Sequence, residues 1–175
     1  MFSLNEKVVY PGHGVAQINR IVEKNIGGSI QMFFELKFLS KGVTILVPTN
    51  NLASVGLRRL SSSESINKIF KMLSEPVPRV NSESTASNWN KRNKEYQCRL
   101  RSGDLNEICK IYRDLRYISS QKELSFGEKN LLLQTEALLV EEISIVKQVE
   151  ENKTIEQLRA LLKGEHGAVM IVMGN

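Results

Sequence analysis

Residues 8–15 read Val8-Val9-Tyr10-Pro11-Gly12-His13-Gly14-Val15, a β-branched run that stops at a proline and two glycines and then resumes. That is the pattern of two strands joined by a tight reversal. The same grammar continues to Leu60. Val15 to Val22 alternates ahead of Asn25-Ile26-Gly27-Gly28, Ile30 to Leu39 stops at Ser40-Lys41-Gly42, Val43 to Val47 stops at Pro48, and Val55 to Leu60 adds a short fifth strand. Five short strands in this length predict a small, strongly bent antiparallel β-barrel.

After Leu60 the period changes from two to 3.6. Ser62 or Ser63 caps a helix carrying Ile66, Ile69, Phe70 and Leu73 on one face, able to pack on the barrel or on the helices after it. Pro76 and Pro78 end it, and Arg79 to Ser87 is too polar to offset its ordering entropy, so it reads as a linker. Asn88 or Ser87 caps the next helix, which Ser102-Gly103 ends. Asp104 caps another, bearing Leu105, Ile108, Cys109, Tyr112 and Leu115. Ser125 with Glu128 forms a capping box for a long helix, and Thr154 with Gln157 repeats the device before Ile155, Leu158, Leu161 and Leu162. The chain therefore reads as α+β, with a barrel at 1–60, a short helix and linker at 61–87, and an all-α bundle at 88–163. Residues 164–175 are apolar without periodicity, a frayed tail or short strand with no assigned role.

The formal net charge is +5 and unevenly spread. Residues 1–60 carry seven Lys/Arg against three acids and residues 88–122 nine against four, whereas residues 123–175 carry five against nine. That polarity favours an oriented meeting with a polyanion. No apolar signal segment opens the chain, and the longest apolar run, Ala168 to Met173, is too short to cross a bilayer. Cys98 and Cys109, if on one helix, are about 16 Å apart along its axis, beyond disulfide reach. Reduced thiols and a cytoplasmic protein are the economical reading.

Catalytic and cofactor signals are missing. His13 and His166 lie at opposite ends of the chain, the cysteines lack CxxC spacing, and no phosphate-cradling or nucleophile-elbow motif occurs. Glu141-Glu142 and Glu150-Glu151 are adjacent positions that do not face each other on a helix, so they read as solvated face. No metal, cofactor or small-molecule substrate is implied, and the chain does not read as an enzyme.

What chemistry there is gathers around Trp89, the sole tryptophan, at the head of Trp89-Asn90-Lys91-Arg92-Asn93-Lys94-Glu95-Tyr96. Helical spacing lines up Trp89, Arg92, Asn93, Tyr96 and Leu100, with Lys91, Lys94, Arg99 and Arg101 flanking. Either Trp89 anchors its own bundle, or a large apolar ring set among cations wedges into a nucleic-acid groove. Arg113, Arg116 and Lys122 extend the basic character. In the barrel, Val43 to Val47 is a candidate edge whose backbone a partner strand could meet.

These residues resemble the bacterial CarD/CdnL transcription regulators. The likeness lies in Val8 to Val15, in Val47-Pro48 with Val55-Gly56-Leu57-Arg58, in Trp89 with Lys91-Arg92, in Ser102-Gly103-Asp104-Leu105 and in Arg113-Asp114-Leu115. It runs from about Phe2 to Leu162 and is strongest toward the alphaproteobacterial branch. It implies a Tudor/SH3-like barrel that docks on the RNA polymerase β subunit by strand pairing. It also implies a helical domain that contacts promoter DNA at the upstream edge of the bubble and stabilises the open complex. The polymerase-binding positions are then Val43, Thr44, Ile45, Leu46, Val47 and Lys37. The DNA-binding positions are Trp89 as wedge with Lys91, Arg92, Lys94, Arg113 and Arg116. Many relatives have arginine where this chain has Leu46, leaving Lys37, Lys41 or Arg58 to supply charge, or an apolar surface on the polymerase. A monomer suits such docking. The competing readings are an RNA- or ribosome-binding module, and a structural adaptor with Trp89 in its core.

Overall fold

A computed structural model describes residues 1–76 and 89–172, with side chains described as far as Leu162. The chain divides into two compact units, Met1–Leu60 and Ser61–Asn175. The residues expected to form most of the linker, and the Ser87 and Asn88 caps, lie outside the described residues.

In the first unit β1 (Lys7–Tyr10), β2 (Gly14–Ile26), β3 (Ser29–Phe38), β4 (Thr44–Pro48) and β5 (Arg58–Arg59) form an antiparallel sheet in the order β4-β3-β2-β1-β5. The sheet curves around a core of Val8, Ala16, Ile18, Phe34, Leu36, Phe38, Val47 and Leu57 but remains open, because β4 and β5 each have one neighbour. β2 is longer than the expected Val15 to Val22, while β3 keeps the expected length and starts one residue earlier. β2 and β3 pair all the way to Ile26 and Ser29, where Gly27 and Gly28 turn the chain with φ of 60° and 85°. Positive φ at both central positions matches the strand twist and closes the hairpin in two residues. Asn19 is skipped between the Ile18–Leu36 and Arg20–Glu35 pairs, a bulge that bends β2 and resets the phase of its alternation. The expected strand from Val55 to Leu60 is only Arg58–Arg59, preceded by a helical turn, α1 (Leu52–Val55), that ends on Gly56.

The second unit contains α2 (Ser63–Ser74), α3 (Trp89–Ser102), α4 (Leu105–Gln121), α5 (Phe126–Lys147) and α6 (Glu151–Val172). Ile66, Ile69 and Leu73 of α2 share one core with Tyr96, Leu100, Tyr112, Leu115, Leu139, Ile143 and Leu158, so α2 belongs to the bundle. Each such aliphatic side chain contributes about 1.5–3 kcal/mol when fully buried. The caps are as the sequence signalled: Ser62 Oγ accepts the Ser65 N–H (3.1 Å), Asp104 accepts the Asn106 N–H (2.9 Å), and Ser125 with Glu128 forms a reciprocal box. Thr154 differs. α6 already begins at Glu151, and the buried Thr154 hydroxyl donates back to the Glu150 carbonyl (3.2 Å) instead of capping. The backbone of the aperiodic stretch after Gly164 continues α6 to Val172, in place of the frayed tail or strand.

α5 is the central helix, with every residue from Leu139 to Ser144 buried. Glu141 and Glu142 are therefore not a solvated face. Both are buried, and Glu142 accepts the Ser61 N–H at 2.8 Å. Adjacency on a helix suggested a solvated face, but α5 is covered on more than one side, so both neighbouring positions are buried. Glu136 is buried as well, taking the Tyr112 hydroxyl (2.8 Å), the Arg116 guanidinium (3.2 Å) and a two-pronged contact from Arg159 (3.1 and 2.6 Å). One carboxylate thus ties α4, α5 and α6. Burial pushes its pKa up, but the Arg159 and Tyr112 hydrogen bonds outweigh that and hold it below the ordinary value. Cys98 is exposed and Cys109 buried, both unpaired as disulfides, and burial pushes the Cys109 thiol up to about 12.

Glu136→Gln should lower the unfolding free energy by about 2 kcal/mol at pH 7, since it removes a charge that three helices share. Because the folded-state pKa is depressed, this stabilisation is present above the unfolded carboxyl value of about 4.3 and is lost as pH falls below it. Urea unfolding from pH 7 to pH 3 should show wild type and variant converging at the acid end.

Candidate nucleic-acid interface and docking edge

α3 presents Tyr96 and Leu100 to the bundle core, and the same helical stripe carries Trp89, half-buried and packed against that core. The indole rests on the first turn of α5. A Cβ placed on Gly127 would lie 3.0 Å from Trp89 Cζ2 and 3.3 Å from its Cε2 and Nε1. Arg92 lies with its guanidinium 5.7 Å from the indole centre and donates from Nη2 to Glu128 Oε1 at 2.7 Å. Glu128 Oε2 accepts the Ser125 N–H at 2.9 Å, and Lys122 Nζ lies 3.6 Å from Oε1. Burial pushes the Glu128 carboxyl up, but the bonds from Ser125 and Arg92 bring it below the ordinary range, so it is ionised at neutral pH.

The basic residues separate into two groups. Lys91 and Lys94 are exposed on α3, available to a polyanion. Arg92 has a side chain 16% exposed and braces Trp89 and Glu128. Arg113 donates to the Met72 carbonyl (3.2 Å), and Arg116 stacks over Tyr112 (5.6 Å) and bonds Glu136. Arg99 pairs with Glu107 at 3.6 Å. Burial raises the Asp114 carboxyl, opposed by the nearby Arg113, Arg99 and Arg92. α4 thus spends its arginines on holding the bundle together rather than on a continuous outward stripe.

Phe126 carries no signal in the sequence because it stands alone at the first helical position of α5, outside any periodic face. It is 81% exposed and is the residue before Gly127, on which the indole rests. Lys122 and Lys129, each about half exposed, flank it in sequence.

In the first unit β4 is an edge strand, bonded to β3 alone. The Phe38 N–H meets the Val43 carbonyl and the Thr49 N–H meets the Met32 carbonyl. By antiparallel alternation Val43, Ile45 and Val47 direct their backbone groups to β3, while Thr44 and Leu46 direct theirs to the open side. Val47 is buried, Ile45 and Leu46 are partly buried, and Val43, Thr44 and Lys37 are exposed. Leu46 stands opposite Glu35 and Thr44 opposite Lys37. Glu35 also pairs with Arg20 (2.9 Å), which is 69% exposed and lies on the face that carries Leu46. The row Arg20–Glu35–Leu46 therefore sets an ion pair on that face, with the carboxylate next to Leu46 and the cation one strand further. The Asn19 bulge places it there, and no sequence rule shows that bulge. The other candidates have local partners, Lys41 at the His13 carbonyl (3.3 Å) and Arg58 at the Arg59 carbonyl (3.0 Å).

Among the described residues no group of His, Cys, Asp or Glu is placed to hold a metal ion, and no helix is long and apolar enough to cross a membrane. Compared with known proteins, residues 68–159 match the CarD C-terminal domain family and residues 2–61 match the CarD-like/TRCF RID domain family. YdeB of Bacillus subtilis (strain 168), whose name places it provisionally among transcription factors, is 23% identical over 153 residues, 87% of this chain and 97% of that one. The solution structure of the 72-residue N-terminal domain of Myxococcus xanthus CarD is 25% identical, with a TM-score of 0.30 over 34% of this chain and 79% of that one.

The sorting of cations has a measurable signature in stability. Lys91→Ala and Lys94→Ala should each change unfolding free energy by no more than about 0.5 kcal/mol. Arg92→Ala, which leaves Glu128 less satisfied, should cost about 2 kcal/mol. Trp89→Ala, at a half-buried site, should cost about 1–2 kcal/mol, below the 3–5 kcal/mol of a core tryptophan. Thermal and urea unfolding of the four variants checks the ranking.

Proposed function

The chain belongs to the CarD family, whose members are in general transcription factors that interact with RNA polymerase rather than enzymes, and from that premise we propose that it stabilises the open promoter complex while docked on the polymerase β subunit. The observation that carries this reading is the half-buried Trp89 seated on Gly127, with Lys91 and Lys94 exposed on the same helix. A ring fully in the core has no surface left for DNA, and a ring wholly free is costly to orient on binding. Trp89 is braced yet partly accessible.

In this reading the edge of β4 adds to a strand of the β subunit through Thr44 and Leu46, within the span Val43 to Val47. Lys37 and Arg20 supply charge on that face. Docking raises the local concentration of the helical unit at the promoter, so contacts too weak to hold DNA alone become sufficient. Trp89 wedges at the minor groove where the duplex is already opening. Unstacking a step costs a few kcal/mol in intact DNA and less at a melting junction, so the wedge favours the open state without reading bases. The equilibrium moves only by the difference in affinity between open and closed complexes. Lys91 and Lys94 hold phosphates. Arg92, Arg113 and Arg116, named from the sequence as DNA contacts, act here as braces behind the surface. A monomer working in the bacterial cytoplasm satisfies every step.

The primary test is the lifetime of open complexes formed by the cognate polymerase holoenzyme. Wild type should lengthen it and Trp89→Ala should abolish the gain. An unchanged lifetime with wild-type protein bound to polymerase would sink the reading. Lys91→Ala and Lys94→Ala should each weaken the effect and reduce the salt dependence by about 0.9 in log–log slope, the value for one lost phosphate contact. For docking, Leu46→Pro removes an outward N–H while sparing the β3 ladder, so it should weaken polymerase binding in a folded protein. Ile45→Pro should break the ladder itself. Pull-down of the β subunit alongside circular dichroism separates the two.

A further inference from the structure

We propose that Gly127 and Glu128, in the first turn of α5, are positioning residues that set the pose of Trp89 for its work on DNA, an inference that rests on the wedge reading above. The backbone at Gly127 makes no demand for glycine. It lies inside a helix and is not among the glycines with positive φ, and alanine is the better helix former. What demands glycine there is the indole. An added Cβ would stand 3.0 Å from Trp89 Cζ2, closer than such contacts ordinarily come, and 3.3 Å from Cε2 and Nε1. The ring could meet it only by moving a few tenths of an ångström.

Glu128 acts on the same ring through Arg92. Its Oε1 takes the Arg92 guanidinium at 2.7 Å, and that guanidinium lies over the indole. Its Oε2 is fixed by the Ser125 N–H, so the capping box at the start of α5 dictates where Arg92 stands. Taken as electrostatics alone, a carboxylate beside Lys122 at a DNA-binding surface is a liability, since it repels phosphate. Positioning explains its presence: the repulsion is offset by an oriented wedge. The two accounts predict opposite signs for its neutralisation.

The experiment uses the full chain with Gly127→Ala and Glu128→Gln, each in the Trp89 and Trp89→Ala backgrounds. Glutamine keeps the capping geometry while removing the charge. Trp89 is the sole tryptophan, so its emission reports the seat directly. We expect Gly127→Ala to fold with a thermal midpoint at or near wild type, to shift the Trp89 emission, and to lose most of the gain in open-complex lifetime. Glu128→Gln should also lose lifetime although it makes the protein more positive. In the Trp89→Ala background no lifetime gain is left to lose, so the readout there is stability: Gly127→Ala should raise the thermal midpoint more than it does beside Trp89, as required of groups in contact. Unchanged emission in Gly127→Ala, the same midpoint change with and without Trp89, or a longer lifetime in Glu128→Gln would each overturn the proposal. If the wild-type protein leaves the lifetime untouched, the wedge reading falls by itself. The emission of Gly127→Ala then still decides the seat: a shift upholds it and no shift removes it.

Discussion

A buried carboxylate is costly unless its charge is answered, and the helical unit is organised around two of the four buried on α5 that are answered by arginines of neighbouring helices. Glu128 at the start of α5 closes its own capping box and holds Arg92 of α3, and Glu136, two turns on, gathers Tyr112, Arg116 and Arg159 from α4 and α6. These bonds fix how the neighbouring helices are rotated about their axes, which apolar packing alone specifies loosely. They also determine which arginines remain for other work. A chain with a surplus of cations thereby ends with a small, defined set of outward lysines.

The parts legible in the sequence are those governed by local rules. Ser62, Asp104 and the Ser125–Glu128 pair announce helix starts because their side chains answer to N–H groups two or three residues away. The glycines after Ile26 announce a hairpin because few other residues take both positive φ values. Thr154 shows the limit of such rules, for the same pattern sits one turn inside a helix. Whatever depends on tertiary neighbours was out of reach. Nothing local says that Glu141 and Glu142 are buried, that Asn19 is a bulge, or that Arg92 faces a carboxylate 36 residues ahead. Phe126 is the instructive miss: an isolated aromatic has no period, and only its exposure marks it.

The two units divide the physical work differently. In the sheet, the proposed docking draws its specificity from backbone direction, with charge at the margin from Lys37 and Arg20. In the bundle, the proposed contact with DNA draws it from one braced aromatic and the spacing of a few cations. Backbone pairing is indifferent to small side-chain changes, so leucine at position 46 is compatible with the proposed docking. An aromatic pose is sensitive to them, which is why so small a residue as Gly127 gains weight.

The open side of β4 is very short. Only Thr44 and Leu46 offer both backbone groups, and Pro48 has no N–H to add. Four hydrogen bonds at about 1 kcal/mol each make a grip of modest strength, and the missing donor at Pro48 bars a partner strand from sliding along in search of more. Such an edge is also a poor template for its own kind, which protects the protein from stacking into fibres. Its more interesting property is temporal. If the factor docks through this edge and holds DNA as proposed, a contact this small lets go readily once the second foothold is gone, so departure of the polymerase from the promoter would itself dismiss the factor and return it to the free pool, with no separate release machinery.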